Sequence, residues 1–215
     1  MQLSPVTRSK RSAQQSYDRL SRWYDLLAGS SEGPFRRLGL ELLDLRPGER
    51  VLEIGCGTGQ ALREALARVG AQGAALGLDL STGMLRRSRA AAPKAGLLCA
   101  DGAHLPLAGG WADAVFLSFS LELFDTPEIP SVLAGCVRVM RPGGRLCAVS
   151  LSRLGPGSLM LRLYERLHER APALADCRPI YLRAALESAG LLTRRVELRR
   201  MWGLPVEIVL AQNRV

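Results

Sequence analysis

Residues 51 to 59 read VLEIGCGTG, which packs a short apolar strand, one acid and three glycines into a single stretch. An apolar run that ends on glycine is how a parallel strand covered on both faces appears in sequence. Gly55, Gly57 and Gly59 let the main chain turn sharply and bring its N–H groups close to a ligand that any Cβ would hold off. Behind them Ala61, Leu62, Ala65, Leu66 and Val69 recur at helical spacing, with Glu64 and Arg68 as an i, i+4 pair on the other side. This predicts a helix that begins where the turn ends. Strand, glycine turn and helix form the ligand-binding unit of an open α/β sheet, although a tight connection without a ligand uses the same residues. A dinucleotide fingerprint needs GxGxxG; here the spacing is GxGxG, with Gln60 and Ala61 where the third glycine would fall, which argues against NAD or FAD.

Further strands follow at regular intervals. AALGLDLS, residues 74 to 81, ends on Asp79, twenty residues after Gly59, where an acidic side chain takes ribose hydroxyls. Ser81 is placed to cap the next helix. LLCADGAHLPL, residues 97 to 107, predicts a third strand ending on Asp101 beside Gly102, and DAVFLSFSLELF, residues 113 to 124, a fourth ending near Phe119 and Glu122. Alternation of strand and helix continues to residue 151. Met160, Leu163, Tyr164 and Leu167 then share a helix face, Tyr181 to Ala189 forms a helix closed by Gly190, and two strands, 191 to 199 and 205 to 211, bring the count to seven. At the other end Tyr17, Leu20, Tyr24 and Leu27 lie on one face of a helix. A Gly/Ser break at 29 to 33, read as a hinge, separates it from a second helix through Leu45.

Taken in order, VLEIGCGTG, GLDLSTGML, CADGAHLPL and VMRPGGRL resemble the motifs of class I S-adenosylmethionine-dependent methyltransferases, most closely the branch with the ubiquinone and menaquinone biosynthesis C-methyltransferases. YDRLSRWYDLL, residues 17 to 27, is similar to that family's N-terminal segment that folds over the cofactor. The resemblance implies a Rossmann-like seven-stranded α/β fold, a mostly parallel sheet with an antiparallel last strand and helices on both faces. It implies one domain: residues 1–45 as a helical lid, 46–152 as the cofactor-binding core, and 153–215 as acceptor-side helices and final strands. The implied cofactor is S-adenosyl-L-methionine. Gly55 and Gly57, flanked by Glu53 and Cys56, would approach its methionine part; Asp79 its ribose; Leu80 and Met84 the adenine face; and Asp101, with Gly102 and Ala103, the adenine amino group. Tyr24, Ser118 and Phe119 complete the implied cofactor surround.

Composition agrees with one core: the chain has 215 residues and is 47% hydrophobic. The N-terminus does not read as a signal peptide, and no segment approaches the roughly 20 apolar residues of a membrane span, so the expected location is cytoplasmic. Cysteines at 56, 99, 136, 147 and 177 show neither CxxC spacing nor a paired framework and read as small buried thiols, except Cys177 in the loop DCRP. With His104 and His168 as the only histidines, no metal is expected. The net charge of +9 is carried by arginine, scattered as Arg63, Arg68, Arg86, Arg87, Arg89, Arg138 and Arg141, and reads as solvated faces before it reads as a binding patch. In RRVELRR, residues 194 to 200, Val196 and Leu198 alternate with Arg195, Glu197 and Arg199, the pattern of a half-exposed strand.

A methyl on a sulfonium is already electrophilic, so the chemistry implied by the resemblance asks mainly for in-line placement and exclusion of water. A carbon or oxygen acceptor must also lose a proton. Glu122, among Phe119, Leu121, Leu123 and Phe124, is the candidate base, since apolar neighbours raise a carboxylate's pKa; a structural ion pair is its other reading. Glu122 also departs from the quinone branch, in which a polar or basic pair follows this strand. Tyr17, Tyr164, Tyr181 and Trp202, with Tyr24, are candidates to line an apolar acceptor pocket, or else simple core. The expected activity is methyl transfer to a small, apolar or quinone-like acceptor, with peripheral membrane association if that acceptor is lipophilic. The alternatives are a phospholipid or other small-molecule N- or O-methyltransferase, a nucleic-acid methyltransferase and a non-catalytic cofactor binder. SFSL after the fourth strand lacks the Asn/Asp-Pro-Pro-Tyr element of amino-methylating nucleic-acid enzymes.

Overall fold

The computed structural model of the chain describes residues 29–154, 164 and 177–214. Seven strands form one sheet in the order β3-β2-β1-β4-β5-β7-β6. They are β1 (Arg50–Ile54), β2 (Ala74–Asp79), β3 (Gly96–Cys99), β4 (Ala112–Ser118), β5 (Met140–Leu151), β6 (Leu192–Met201) and β7 (Leu204–Gln212). Strands β1 to β5 are mutually parallel, and β7 runs antiparallel between β5 and β6. Five described helices cover the sheet: α1 (Gly29–Leu43), α2 (Gln60–Val69), α3 (Thr82–Ala91), α4 (Ile129–Val139) and α5 (Leu182–Ser188). None of the described helices is long and apolar enough to cross a membrane.

The period of two along each strand sorts the core into two layers. Leu52, Ile54, Val115, Leu117, Leu146 and Ala148 point to the layer completed by α4 and α5. Val51, Ala114, Phe116, Cys147 and Val149 point to the layer completed by α1 and α2. Gly39 sits on α1 where a Cβ would stand 2.8 Å from Val149 and 3.0 Å from Phe116, so this glycine lets the helix lie close on the sheet.

Several elements differ from the sequence reading. Residues 29 to 33 are no hinge but the opening of α1, because the helix is held by packing of Phe35, Leu38, Leu40, Leu42 and Leu43 downstream, which outweighs the poor propensity of its first turn. α1 stops at Leu43, where Asp44 adopts φ 49, short of Leu45. β3 ends at Cys99 and β4 at Ser118, so Asp101 and Glu122 stand on the loops beyond their strands. Cys99 is exposed on the edge strand rather than buried, whereas Cys56, Cys136 and Cys147 are buried. The helix expected around Met160 to Leu167 falls outside the described residues except for Tyr164, as do Tyr17, Tyr24 and His168.

Several arginines donate to main-chain carbonyls. Arg68 donates to Leu40 O, Arg89 to Pro93 O and Ala95 O, and Arg138 to Leu105 O and Leu107 O. Arg145 donates to both carboxylate oxygens of Glu49 and to the carbonyls of Leu43 and Asp44, tying the end of α1 to β5.

Candidate functional site: a crevice at the sheet's switch point

From β1 the chain runs outward to β2 and β3, then returns to the other side of β1 to make β4. Open α/β sheets bind ligands in the crevice beyond the carboxyl ends of such a pair. Here that crevice is flanked by the glycine turn after β1 and the Phe119–Ser120 turn after β4. The two turns touch: a Cβ on Gly55 would lie 2.5 Å from Ser120 Cβ, and Ser120 Oγ donates to Ile54 O at 2.8 Å. Gly55 and Cys56 both donate to Leu78 O, which pulls the turn toward β2. Gly57 differs from its neighbours. It has φ 51 and nothing within 4 Å of where a Cβ would be, so it borders open space.

Asp79 sits where β2 ends. Its Oδ2 accepts from Gly57 N–H and its Oδ1 from Ser81 N–H, both at 2.8 Å, so the carboxylate is aimed by the loops on either side. Ser81 caps α3 as expected, accepting from Met84 N–H at 3.1 Å, and Met84 is buried while Leu80 is half-buried. Asp101 folds its own loop through Ala103 N–H at 3.0 Å and faces His104 Nδ1 at 3.7 Å. A Cβ on Gly102 would meet Phe124 at 2.8 Å and Ile54 at 2.9 Å, so glycine there holds the loop against the core.

Phe119 is buried with φ 51, a backbone state that costs a non-glycine residue of order 1 kcal/mol and clusters at functional sites. It directs the chain from Ser118 into a short 3₁₀ turn, Leu121–Leu123, and stacks edge-on against Phe35 of α1 with centroids 6.4 Å apart. Glu122 is fully buried in that turn. Its Oε1 accepts from Leu151 N–H at 3.2 Å and its Oε2 has no hydrogen-bond partner among the described residues. Burial pushes its carboxyl up to about 8, with the Glu32 carboxylate of α1 adding to the rise.

Three further residues complete the setting, and the sequence reading missed them. Glu32 and Arg36 lie one turn apart on α1. Burial raises Glu32 to about 7 against the pull of Arg36. Burial likewise raises Glu53 to about 8, with Arg36 opposing and Asp79 and Glu64 reinforcing. Glu53 Oε2 and Arg36 Nε are buried without hydrogen-bond partners among the described residues. Arg178, only 1% exposed, donates to the carbonyls of Glu122 (3.2 Å) and Phe124 (2.6 Å) and to Thr126 Oγ1 (2.8 Å), pinning the loop after β4. The i, i+4 spacing of Glu32 and Arg36 was visible, but the glycines and serines around Glu32 masked the helix.

Of the aromatic candidates, three lie among the described residues, on different parts of the sheet. Tyr164 packs against the α1-side core and donates to Cys177 O at 2.8 Å. Tyr181 is half-buried at the start of α5, which covers the other face. Trp202 lies on the tip of the β6–β7 hairpin, 70% exposed, instead of turning into a cavity. No group of three or more His, Cys, Asp or Glu able to hold a metal occurs among the described residues.

The arrangement fits an adenosyl sulfonium on its own terms: a turn opening on free space at Gly57, an acid aimed by two N–H groups at Asp79, and a buried carboxyl oxygen at Glu53 without a hydrogen-bond partner among the described residues. Comparison with known proteins agrees. Residues 51–144 match the family model described as a methyltransferase domain. Nocamycin O-methyltransferase of Saccharothrix syringae is 38% identical over 135 residues, 60% of this chain and 48% of that protein. A demethylmenaquinone methyltransferase of Beutenbergia cavernae is 36% identical over 140 residues, 63% of this chain and 56% of that protein. The chain thus spans about half the length of these curated relatives. The structure of Burkholderia thailandensis 1,6-didemethyltoxoflavin-N1-methyltransferase, with bound 1,6-didemethyltoxoflavin and S-adenosylhomocysteine, shares the fold at TM-score 0.71 and 16% identity, covering 98% of this chain and 94% of that one. Residues 51–144 thus match a methyltransferase domain, and in motif order, strand order and sequence relatives the chain is similar to the class I S-adenosylmethionine-dependent methyltransferases.

Proposed function

We propose that this chain transfers a methyl group from S-adenosylmethionine to a small, apolar, quinone-like acceptor held at the carboxyl edge of β1 and β4. The observation that carries the reading is the pairing of the open Gly57 turn with the Asp79 carboxylate at the sheet's switch point. S-adenosylmethionine supplies an electrophilic methyl group on a sulfonium when bound. Asp79 is the residue to hold the ribose hydroxyls, Asp101 the adenine amino group, and the Gly55–Gly59 main chain the methionine part. Glu122 is the residue to take the acceptor's proton. Its folded carboxyl, pushed up to about 8, lies near working pH, where a proton acceptor is most effective. The demethylmenaquinone methyltransferase relative supports a quinone-like ring as acceptor, and the nocamycin enzyme supports small-molecule acceptors generally.

Two measurements test this. S-adenosylmethionine, and not NAD, raises the melting temperature, because a ligand that binds only the folded state stabilises it by about 2.7 kcal/mol at a hundred times its Kd. Labelled methyl groups then appear in a quinone-precursor fraction. Label in RNA, or no thermal shift with the cofactor, sinks the proposal.

A further inference from the structure

The exposed large apolar side chains of the described residues are Leu154, Leu198 and Trp202, at 40%, 54% and 70% exposure. They gather where β5, β6 and β7 meet the carboxyl edge of the sheet. Leu154 follows β5 directly, just past Ser152, whose N–H donates to Pro205 O at the start of β7. Leu198 and Trp202 belong to β6 and its hairpin, in which Met201 pairs with Leu204 around a two-residue loop. The crevice at β1 and β4 opens on this same edge.

The hairpin breaks a local rule without local gain. Trp202 and Gly203 have φ 51 and 81, the positive pair of a type I′ turn, which favours Asn, Asp or Gly at its first position. A bulky aromatic held there, facing water, is both strained and poorly solvated. A rule broken by a side chain left 70% exposed points to a role outside the fold. Beside it stand Arg199 and Arg200, both exposed, and β6 as a whole carries Arg194, Arg195, Arg199 and Arg200 against Glu197 alone.

We propose that the β6–β7 hairpin tip is a docking surface for an anionic lipid bilayer, with Trp202 and Leu198 seated among the headgroups and the flanking arginines on lipid phosphates. Tryptophan favours the membrane interface, and each basic side chain near an anionic surface adds to binding. The net charge of +9 steers the chain to such a surface. A second copy of the chain fits less well: two arginine-rich tips repel one another, and a convex turn offers little of the roughly 1,000 Å² a stable interface needs. Docking by this edge turns the crevice toward the membrane and brings it to a lipophilic acceptor. That consequence rests on the function proposed above; the docking itself does not.

Flotation of the full chain with vesicles of phosphatidylcholine, with and without phosphatidylglycerol, tests the surface. The parent chain partitions onto the phosphatidylglycerol vesicles and is released by salt. Trp202→Asn creates the Asn-Gly pair that type I′ turns prefer, so its melting temperature holds or rises while its partitioning falls about tenfold or more. Arg199→Gln with Arg200→Gln lowers partitioning about tenfold or more as well. Equal binding to both vesicles, no binding, or parent-like partitioning by Trp202→Asn overturns the proposal. So does self-association that Trp202→Asn abolishes without vesicle binding, which makes the tip a contact between copies. Thermal shift with S-adenosylmethionine on the same samples separates the two questions, since its absence removes the methyl-transfer reading and leaves the flotation result standing.

Discussion

Asp79 orders its two flanking loops and, in the function proposed above, holds a ligand as well. Both its oxygens are oriented by backbone N–H groups, so Asp79→Asn keeps the size of the group and loses the charge. Charge-assisted hydrogen bonds are roughly twice as strong as neutral ones, and S-adenosylmethionine affinity should fall more than tenfold by calorimetric titration, with an unchanged Kd refuting the assignment. The half-buried Glu32 and the buried Glu53 and Glu122 have a thermodynamic signature of their own. Their folded carboxyls sit at about 7, 8 and 8, above the ordinary 4.5, so between those limits the native state holds more protons than the unfolded chain. Stability therefore falls as pH rises from about 5 to 8, with a slope of about 1.4 kcal/mol per pH unit for each proton retained. Glu53→Gln and Glu122→Gln should each flatten that slope in melting curves; a parent-like slope in both would show that these groups are ionised when folded. The apolar neighbours of Glu122 foretold this environment. That its Oε2 has no hydrogen-bond partner among the described residues required the fold, since Arg178 donates to its main-chain carbonyl instead.

Among the elements, the loop after β4 is the one whose shape has least to do with its own residues. Nothing in SLELFDT predicts a 3₁₀ turn held from outside, yet Arg178, more than fifty positions later in the chain, supplies the donors for two of its carbonyls and a hydroxyl. Arg178→Met removes them from a buried place and should cost roughly 3 kcal/mol in urea unfolding. A loss below about 0.5 kcal/mol, the range of an ordinary surface change, would mean that water replaces the guanidinium. The first turn of α1 departs from its local chemistry for a related reason. Gly29, Ser30, Ser31 and Gly33 carry breaker chemistry, but a helix that buries Leu40 and Leu43 completely against β4 and β5 tolerates a poor first turn.

For the whole molecule the vulnerable feature is the open side of the sheet. β6 is an edge strand ten residues long, and Arg195 and Arg199 both pair with Glu197 at 2.8 Å along it, giving the edge charge that discourages pairing with another chain. Arg195→Val with Arg199→Val should raise light scattering with concentration above that of the parent chain, and equal scattering would show that twist protects the edge without charge. Such long-range arrangements divide what was legible from what was not. Local periodicity and glycine spacing determined that β1, β2, α2 and α3 form and that Asp79 ends its strand, because a period of two or of 3.6 and a positive φ are properties of neighbouring residues. Only the tertiary structure decided that α1 brings Glu32 and Arg36 beside Glu53 and Glu122, that Arg178 braces the loop after β4, and that Trp202 faces outward. Those outcomes depend on burial and on partners distant in sequence, which no local pattern records.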